Sequence, residues 1–418
     1  MPPRTACPHR PTLPPLQTAI RRMAARSPET IHVICRHADR CGGCSLLHLP
    51  YASQLESKES TLRHLLASTL HDDVRRQRGG LFLPQAVDAG PPIHFRQKVA
   101  FVFASPNGRR LALGHYARGS NQVVPVAGCP VHSARGNRIA FALRDALDAA
   151  GVRAAGPTLD GILRHVIVRT TADDREAVAM LVVTRNDRTL RAPVRALLAS
   201  TDRPDGFFIN VNARPGPFML GDETRKIDGR SHIRETVGGI DFLVSPDAFF
   251  QTNVAAAAAL QTHVLTSVEG SARVLDLYCG SGLFTLPLAK AGAVVMGIEE
   301  NPRAIADAEA NARLNRIPMD RVRLTAGRVE QAIGRAGRER WDAVILDPPR
   351  QGCSDLVLEA VFQNIRPQRV TYVSCNPEAL AAELPGIRQC GYEVSDLKAV
   401  DMFPHTEHLE AIVSFVRN

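Results

Sequence analysis

The sequence predicts an α/β protein: a doubly wound parallel sheet, preceded by an α+β half with antiparallel strands. Three observations predict it. After about Gly238, short apolar runs at 273–277, 294–299, 343–347 and 371–374 alternate with helical stretches at 284–291 and 302–314. That alternation is the pattern of parallel strands joined by crossover helices. Before it, runs at 98–103, 111–114 and 122–126 are separated only by turn residues, as antiparallel strands are. Third, Val274-Leu275-Asp276-Leu277-Tyr278-Cys279-Gly280-Ser281-Gly282 reads as a strand running through two glycines into a helix, the opening of a nucleotide-binding unit.

In chain order, Met1 to Arg22 are rich in Pro and Arg and lack the apolar middle of a secretory signal. Residues 1–34 are expected to be a disordered tail, with Met23 an alternative start. A cysteine cluster then runs into a polar helix from Tyr51 to about Leu70. Strands at 165–169 and 177–184 flank the β-rich half, and a helix fills 137–150. With 418 residues the chain suits more than one domain. The expected division is 35–237 and 238–418.

Net charge is +9, which favours an anionic partner, nucleic acid foremost. No run of about 18 apolar residues occurs, so no membrane span is expected. The cysteines fit a cytoplasmic chain in which they bind metal or do chemistry rather than form disulfides. A monomer is expected.

Ligands of doubly wound sheets bind at the carboxyl ends of the strands. Gly280, Glu299, Asp347 and Cys375 each end or follow a strand there. Gly280 and Gly282 let the backbone approach a ligand, and the following helix offers amide donors. Glu299 lies 19 residues after Gly280, placed to accept both hydroxyls of a ribose. Position 285, where a dinucleotide fingerprint has its third glycine, is Thr285. An adenosyl ligand without a pyrophosphate fits better, and S-adenosylmethionine meets that description.

Cys375 lies in the loop Ser374-Cys375-Asn376-Pro377, where strand-end amides are expected to lower its thiol pKa. Carbon 5 of uracil is a poor nucleophile. Thiolate addition at carbon 6 makes an enolate that can attack a sulfonium methyl group, after which a base must remove the carbon 5 proton. Glu410, in Pro404-His405-Thr406-Glu407-His408-Leu409-Glu410, is the candidate base, with His405 and His408 as alternatives. Cys7, Cys279, Cys353 and Cys390 read as small buried hydrophobes.

Cys35, Cys41 and Cys44 are spaced C-x5-C-x2-C, and Cys129-Pro130 follows 85 residues later. Four such thiolates can hold zinc or an iron–sulfur cluster. The distant fourth ligand would tie the N-terminal segment onto the β-rich half.

Taken together, these residues resemble the RNA uracil-5-methyltransferase family over nearly the whole stretch from Cys35 to Glu410. The resemblance implies a Rossmann-like methyltransferase sheet. It implies a [4Fe–4S] cluster on Cys35, Cys41, Cys44 and Cys129, a pattern of the family's ribosomal-RNA members that its bacterial transfer-RNA members lack. A 23S rRNA substrate is therefore expected. Phe95-Arg96-Gln97-Lys98 matches the family's FRNK segment with Gln for Asn, and Ser245 to Asn253 match its SPxxFFQxN segment. By that resemblance Gln251, Tyr278, Glu299 and Asp347 line the S-adenosylmethionine site, Cys375 is the nucleophile and Glu410 the base. The chain departs from the pattern at Leu283, where the family often has Asn or Gly, and at Arg328, near the adenine, where Asp or Asn is usual. It resembles the form without an N-terminal RNA-binding β-barrel.

Three other readings compete. A transfer-RNA T-loop uridine is the alternative substrate. A nicotinamide dehydrogenase is disfavoured by Thr285. A non-catalytic RNA-binding protein of the same fold would need neither Cys375 nor Glu410.

Overall fold

The computed structural model describes residues 35–76, 86–87, 91–106, 108, 110–216 and 218–418, so the expected N-terminal tail and alternative start lie outside the described residues. Helix α1 (Tyr51–Arg76) and the short strand β1 (Ala86–Val87) come first. The next elements are β2 (Lys98–Ala104), β3 (Ala112–Tyr116), β4 (Val123–Pro125), α2 (Ala134–Ala149), β5 (Leu163–Thr170), β6 (Ala177–Val183), α3 (Arg191–Leu198), β7 (Gly206–Val211) and β8 (Glu223–Gly229). The strands β2 to β8 form one sheet in the order β4-β3-β2-β5-β6-β7-β8. All its pairs are antiparallel except β6 with β7, which α3 joins as a crossover.

Strands β5 and β6 are buried along their whole length, because both faces of the sheet are covered. Val166, Val168, Ala179 and Leu181 pack against Ile139, Leu143 and Leu147 of α2 and Leu197 of α3. Ile167, Val178, Met180 and Val182 point the other way, as the two-residue strand period requires. They meet Val237 and Phe242 from the hairpin β9 (Ile233–Val237) and β10 (Ile240–Val244), and Ala257 and Leu260 of α4 (Val254–Ser267). Burying each aliphatic side chain of this kind is worth about 1.5–3 kcal/mol.

The same apolar cluster continues through Val274, Val295, Ile345 and Ile412 into the second sheet. Its chain runs β11 (Arg273–Leu277), α5 (Thr285–Ala291), β12 (Val294–Glu299), α6 (Pro302–Leu314), β13 (Val322–Ala326), α7 (Val329–Ala336), β14 (Ala343–Leu346), α8 (Asp355–Glu359), β15 (Arg369–Ser374), α9 (Pro377–Gln389), β16 (Tyr392–Val400) and β17 (Glu410–Arg417). The strand order is β1-β16-β17-β15-β14-β11-β12-β13.

The sheet is mixed, which corrects the expectation of a parallel one. From β15 to β13 every pair is parallel, but β17 runs antiparallel to both β15 and β16. The cause is the connection after β16. Residues 401–409 are too few for the crossover of a dozen or more residues that a parallel partner needs. Caps written in the sequence start the helices around the site. The side chains of Asn253, Asn301 and Asn376 accept from Ala256 N, Arg303 N and Glu378 N, and proline opens α6 and α9. No helix among the described residues is long and apolar enough to cross a membrane.

Candidate active site

The carboxyl ends of β11, β12, β14 and β15 converge, because Leu277 pairs with both Ile298 and Leu346, and Leu346 with Tyr372. Just past β11 the chain turns sharply. Tyr278 takes a φ of 65° and Gly280 one of 54°. At Gly282, φ is 95° and a β-carbon would lie 2.7 Å from the Leu286 side chain, so glycine is required on both counts. Gly280 N donates to Glu299 Oε2 at 3.1 Å, and Asn301 N to Oε1 at 2.8 Å. Each carboxylate oxygen thus holds one amide, and the acid is fixed at the end of β12.

Beneath the loop, Asp276 is fully buried and its carboxyl accepts from Thr285 Oγ1 at 2.5 Å. The residue that breaks the dinucleotide fingerprint therefore has a structural task. Burial pushes the Asp276 carboxyl up to about 7, with Glu299 adding to the rise. Asp347 follows β14, where its amide donates to Leu277 O at 3.3 Å. Its carboxyl also rises to about 7, through burial and then the neighbouring Asp276 and Glu299. Three acids share one small region, and an ionised one disfavours the next.

Gln251 sits in the loop between β10 and α4, which the other sheet cradles. The buried Arg169 donates to Ala248 O and Phe250 O, and Gln97 N donates to Thr252 O at 2.8 Å. The two segments singled out as separate motifs, Phe95–Lys98 and Ser245–Asn253, thus bind one another. Asp247 reaches Arg303 of α6 at 3.5 Å, which brings the loop alongside the Glu299 end of the sheet. Phe249, in the same loop, is 76% exposed. Motif matching passed over it, since exposure cannot be read from composition.

Ser374 pairs with Ala411 across β15 and β17, so Cys375 and Glu410 fall at the next positions of the ladder. Glu410 is 6% exposed. Its carboxyl is pushed up to about 8 by burial and by Asp347, with Arg350 opposing. The Cys375 thiol is also raised, by burial, then Glu410 and Asp347, against a smaller opposing effect of Arg350. This corrects the expectation of a lowered thiol: nearby carboxyls and desolvation outweigh the strand-end amides. Arg350 is the cation of the site, and Asn376 Nδ2 donates to its carbonyl at 2.9 Å.

The histidine alternatives separate. His405 is 1% exposed with both ring nitrogens engaged, Nδ1 with Gln54 Nε2 at 3.2 Å and Nε2 with Pro92 O at 2.7 Å. It is a satisfied structural histidine. His408 is exposed, and burial of its ring lowers its pKa.

Elsewhere, Cys35, Cys41, Cys44 and Cys129 line one pocket together with Arg96, His115 and His132. Cys41 bridges to Ala117, and Gly42 N donates to Tyr116 O at 2.9 Å, an approach that leaves no room for a β-carbon. Asn137 of α2 holds Cys129 by its amide and carbonyl, each at 3.0 Å. Burial and the other thiols, Cys129 first, push Cys44 up to about 12. Cys129 rises to about 11, chiefly through burial.

Comparison with known proteins gives this geometry a context. The family model described as tRNA (Uracil-5-)-methyltransferase matches residues 223–418. An uncharacterised RNA methyltransferase of Caldanaerobacter subterraneus is 31% identical over 407 residues, covering 94% of this chain and 85% of the relative. One from Geobacter sulfurreducens is 34% identical over 391 residues, covering 92% and 77%. The chain belongs to the RNA (uracil-5-)-methyltransferase family. A solved structure from Pyrococcus abyssi, a tRNA (uracil-54, C5)-methyltransferase in complex with S-adenosyl-L-homocysteine, matches with a TM-score of 0.74. It is 26% identical and covers 90% of this chain and 86% of its own. As a family member the protein is an S-adenosylmethionine-dependent RNA (uracil-5-)-methyltransferase with a mixed α/β methyltransferase fold.

Proposed function

We propose that the enzyme methylates carbon 5 of a uridine in 23S rRNA through a covalent adduct on Cys375, with Glu410 as the base. The observation that carries this reading is the adjacency of Cys375 and Glu410 across the β15–β17 ladder. S-adenosylmethionine, when bound, supplies an electrophilic methyl group. Glu299 holds its ribose, the amides around Gly280 and Gly282 meet its backbone, and Gln251, Tyr278 and Asp347 line its pocket.

The reaction then follows from the side chains. Cys375 loses its proton, and its sulfur bonds to carbon 6 of the uracil. The electron pair released to carbon 5 takes up the methyl group. Glu410 removes the carbon 5 proton as the sulfur–carbon bond breaks, which restores the ring double bond and frees Cys375. A carboxyl near 8 suits this step, because a base works best with a pKa close to the working pH. The uridine must leave its stack to reach a half-buried thiol, and the exposed Phe249 ring offers a face for a displaced base.

Cys35, Cys41, Cys44 and Cys129 would hold a [4Fe–4S] cluster. Their sharing of one pocket supports this, since iron would relieve the crowding of thiols that raises Cys44. The cluster takes no part in methyl transfer. By the family resemblance it favours 23S rRNA. One observation favours a transfer-RNA uridine instead: the likeness to the Pyrococcus abyssi protein, which acts on tRNA uracil 54.

Mass mapping of 5-methyluridine in 23S rRNA and transfer RNA from a deletion strain separates the two substrates. Loss confined to transfer RNA overturns the ribosomal assignment. RNA carrying 5-fluorouridine at the target should trap the wild-type enzyme as an adduct, because fluorine cannot leave as a cation. Absence of that adduct, with activity retained in Cys375→Ala, rules out the covalent route.

A further inference from the structure

The cysteine pocket contains a second set of donors that a four-thiol site does not require. His115 projects from β3, and His132 lies in the turn that leads into α2. The ligand atoms of His115, Cys129 and His132 all lie within 4.8 Å of one another. His132 is 2% exposed. Its Nδ1 and Nε2 of His115 are buried without a hydrogen-bond partner among the described residues. Such orphaned nitrogens are uncommon in folded proteins and call for a ligand. The two rings stand at 82° with centroids 5.1 Å apart, and both pack against Phe101, which fixes their orientation.

We propose that His115, Cys129 and His132 form a binding site for a single divalent transition ion of the zinc class. Two imidazoles and a thiolate are donors that such an ion accepts, at about 2.0–2.1 Å for nitrogen and 2.3 Å for sulfur. Donors within 4.8 Å of one another need to close only slightly to reach that shell. Cys44, the neighbour whose thiol interacts most strongly with that of Cys129, completes four ligands. Arg96, which also lines the pocket, favours the thiolate form that binds metal. The site shares Cys129 and Cys44 with the iron–sulfur set proposed above but does not depend on it. Zinc and the cluster are alternative occupants.

The test uses the full chain, stripped of metal by a chelator under reducing conditions and titrated with zinc alone. Wild type should bind one zinc per chain, and X-ray absorption should find both nitrogen and sulfur neighbours. His115→Phe/His132→Leu should keep the wild-type circular dichroism spectrum, lose the nitrogen neighbours and bind zinc at least tenfold more weakly. Cys35→Ser should bind zinc as wild type does, although it abolishes any iron–sulfur cluster, which keeps the two readings apart. Zinc bound by sulfur alone, zinc affinity unchanged in the double histidine variant, or no stoichiometric zinc overturns the proposal. The absorption spectrum of wild type decides even where the double variant does not fold.

Discussion

Lys58 Nζ lies 2.6 Å from Asp401 Oδ1, and neither side chain is more than 2% exposed. The pair is fully partnered. Tyr51 donates to the other Asp401 oxygen at 2.9 Å, and Lys58 also donates to Phe403 O at 3.1 Å. Gln54, one turn away on α1, bonds both the ring and the backbone amide of His405. Helix α1 therefore grips the loop of residues 401–409, which delivers Glu410 to the site. Breaking a buried pair by removing one partner costs about 3–5 kcal/mol. Lys58→Met should lose that much stability in urea unfolding, and Lys58→Met/Asp401→Asn should recover part of it. Cofactor affinity should hold. Wild-type stability in the single variant would show that the pair is not a clamp.

Glu410→Gln should leave the first steps intact and block the last. The enzyme should accumulate as a methylated RNA adduct, seen as a slow band on a denaturing gel, while Cys375→Ala forms none. In wild type the base is neutral below its raised pKa of about 8, and ionises as pH rises through it. Release of the adduct should therefore quicken from pH 6 to pH 8. A release rate that is flat across that range would remove Glu410 from the role.

Glu299→Ala should weaken S-adenosylmethionine binding by about 1.5–3 kcal/mol, the worth of a hydrogen bond to a charged group. RNA affinity should change little. Calorimetric titration checks both, and unchanged cofactor affinity would mean that the ribose lies elsewhere.

Asp276 and Asp347 have folded pKa values near 7 and Glu410 near 8, all above their ordinary values. The folded protein thus holds protons that the unfolded chain has released. Stability from these groups is complete below about pH 4 and is lost as pH rises through 7 to 8. Urea unfolding of the cofactor-free protein should give a lower free energy at pH 8 than at pH 5.5, and Asp276→Asn should flatten the slope. A rise with pH would contradict the buried-acid assignment.

Anaerobically purified protein should be brown with about four irons per chain, and Cys41→Ser should lose them. Stoichiometric zinc without labile sulfide in the purified protein would exclude the cluster.

The repeating half of the fold was legible because its signals are local. Helix α6 spans Pro302–Leu314 as expected, since Asn301 caps it and Pro302 opens it, and the predicted 294–299 run is β12. Strand β8 was missed because it is an exposed sheet edge, Glu-Thr-Arg-Lys-Ile-Asp-Gly, with no apolar alternation to read. Helix α1 was recognisable as polar, but the buried state of Gln54 and Lys58 depends on partners more than 340 residues away. The Cys375 loop was found from its motif. Its raised thiol was not, because Glu410 and Asp347 approach it only in the folded sheet.

The position of β17 between β15 and β16 also sets an order of assembly. Both neighbours precede it in the chain, so the strand that begins at Glu410 must slot into a gap already flanked. The grip of α1 on the loop before it closes a span of some 340 residues and depends on distant contacts that form slowly. Cys375 therefore meets its base late. A half-folded chain can carry the thiol without the carboxylate, and so has no means of finishing a reaction that it starts.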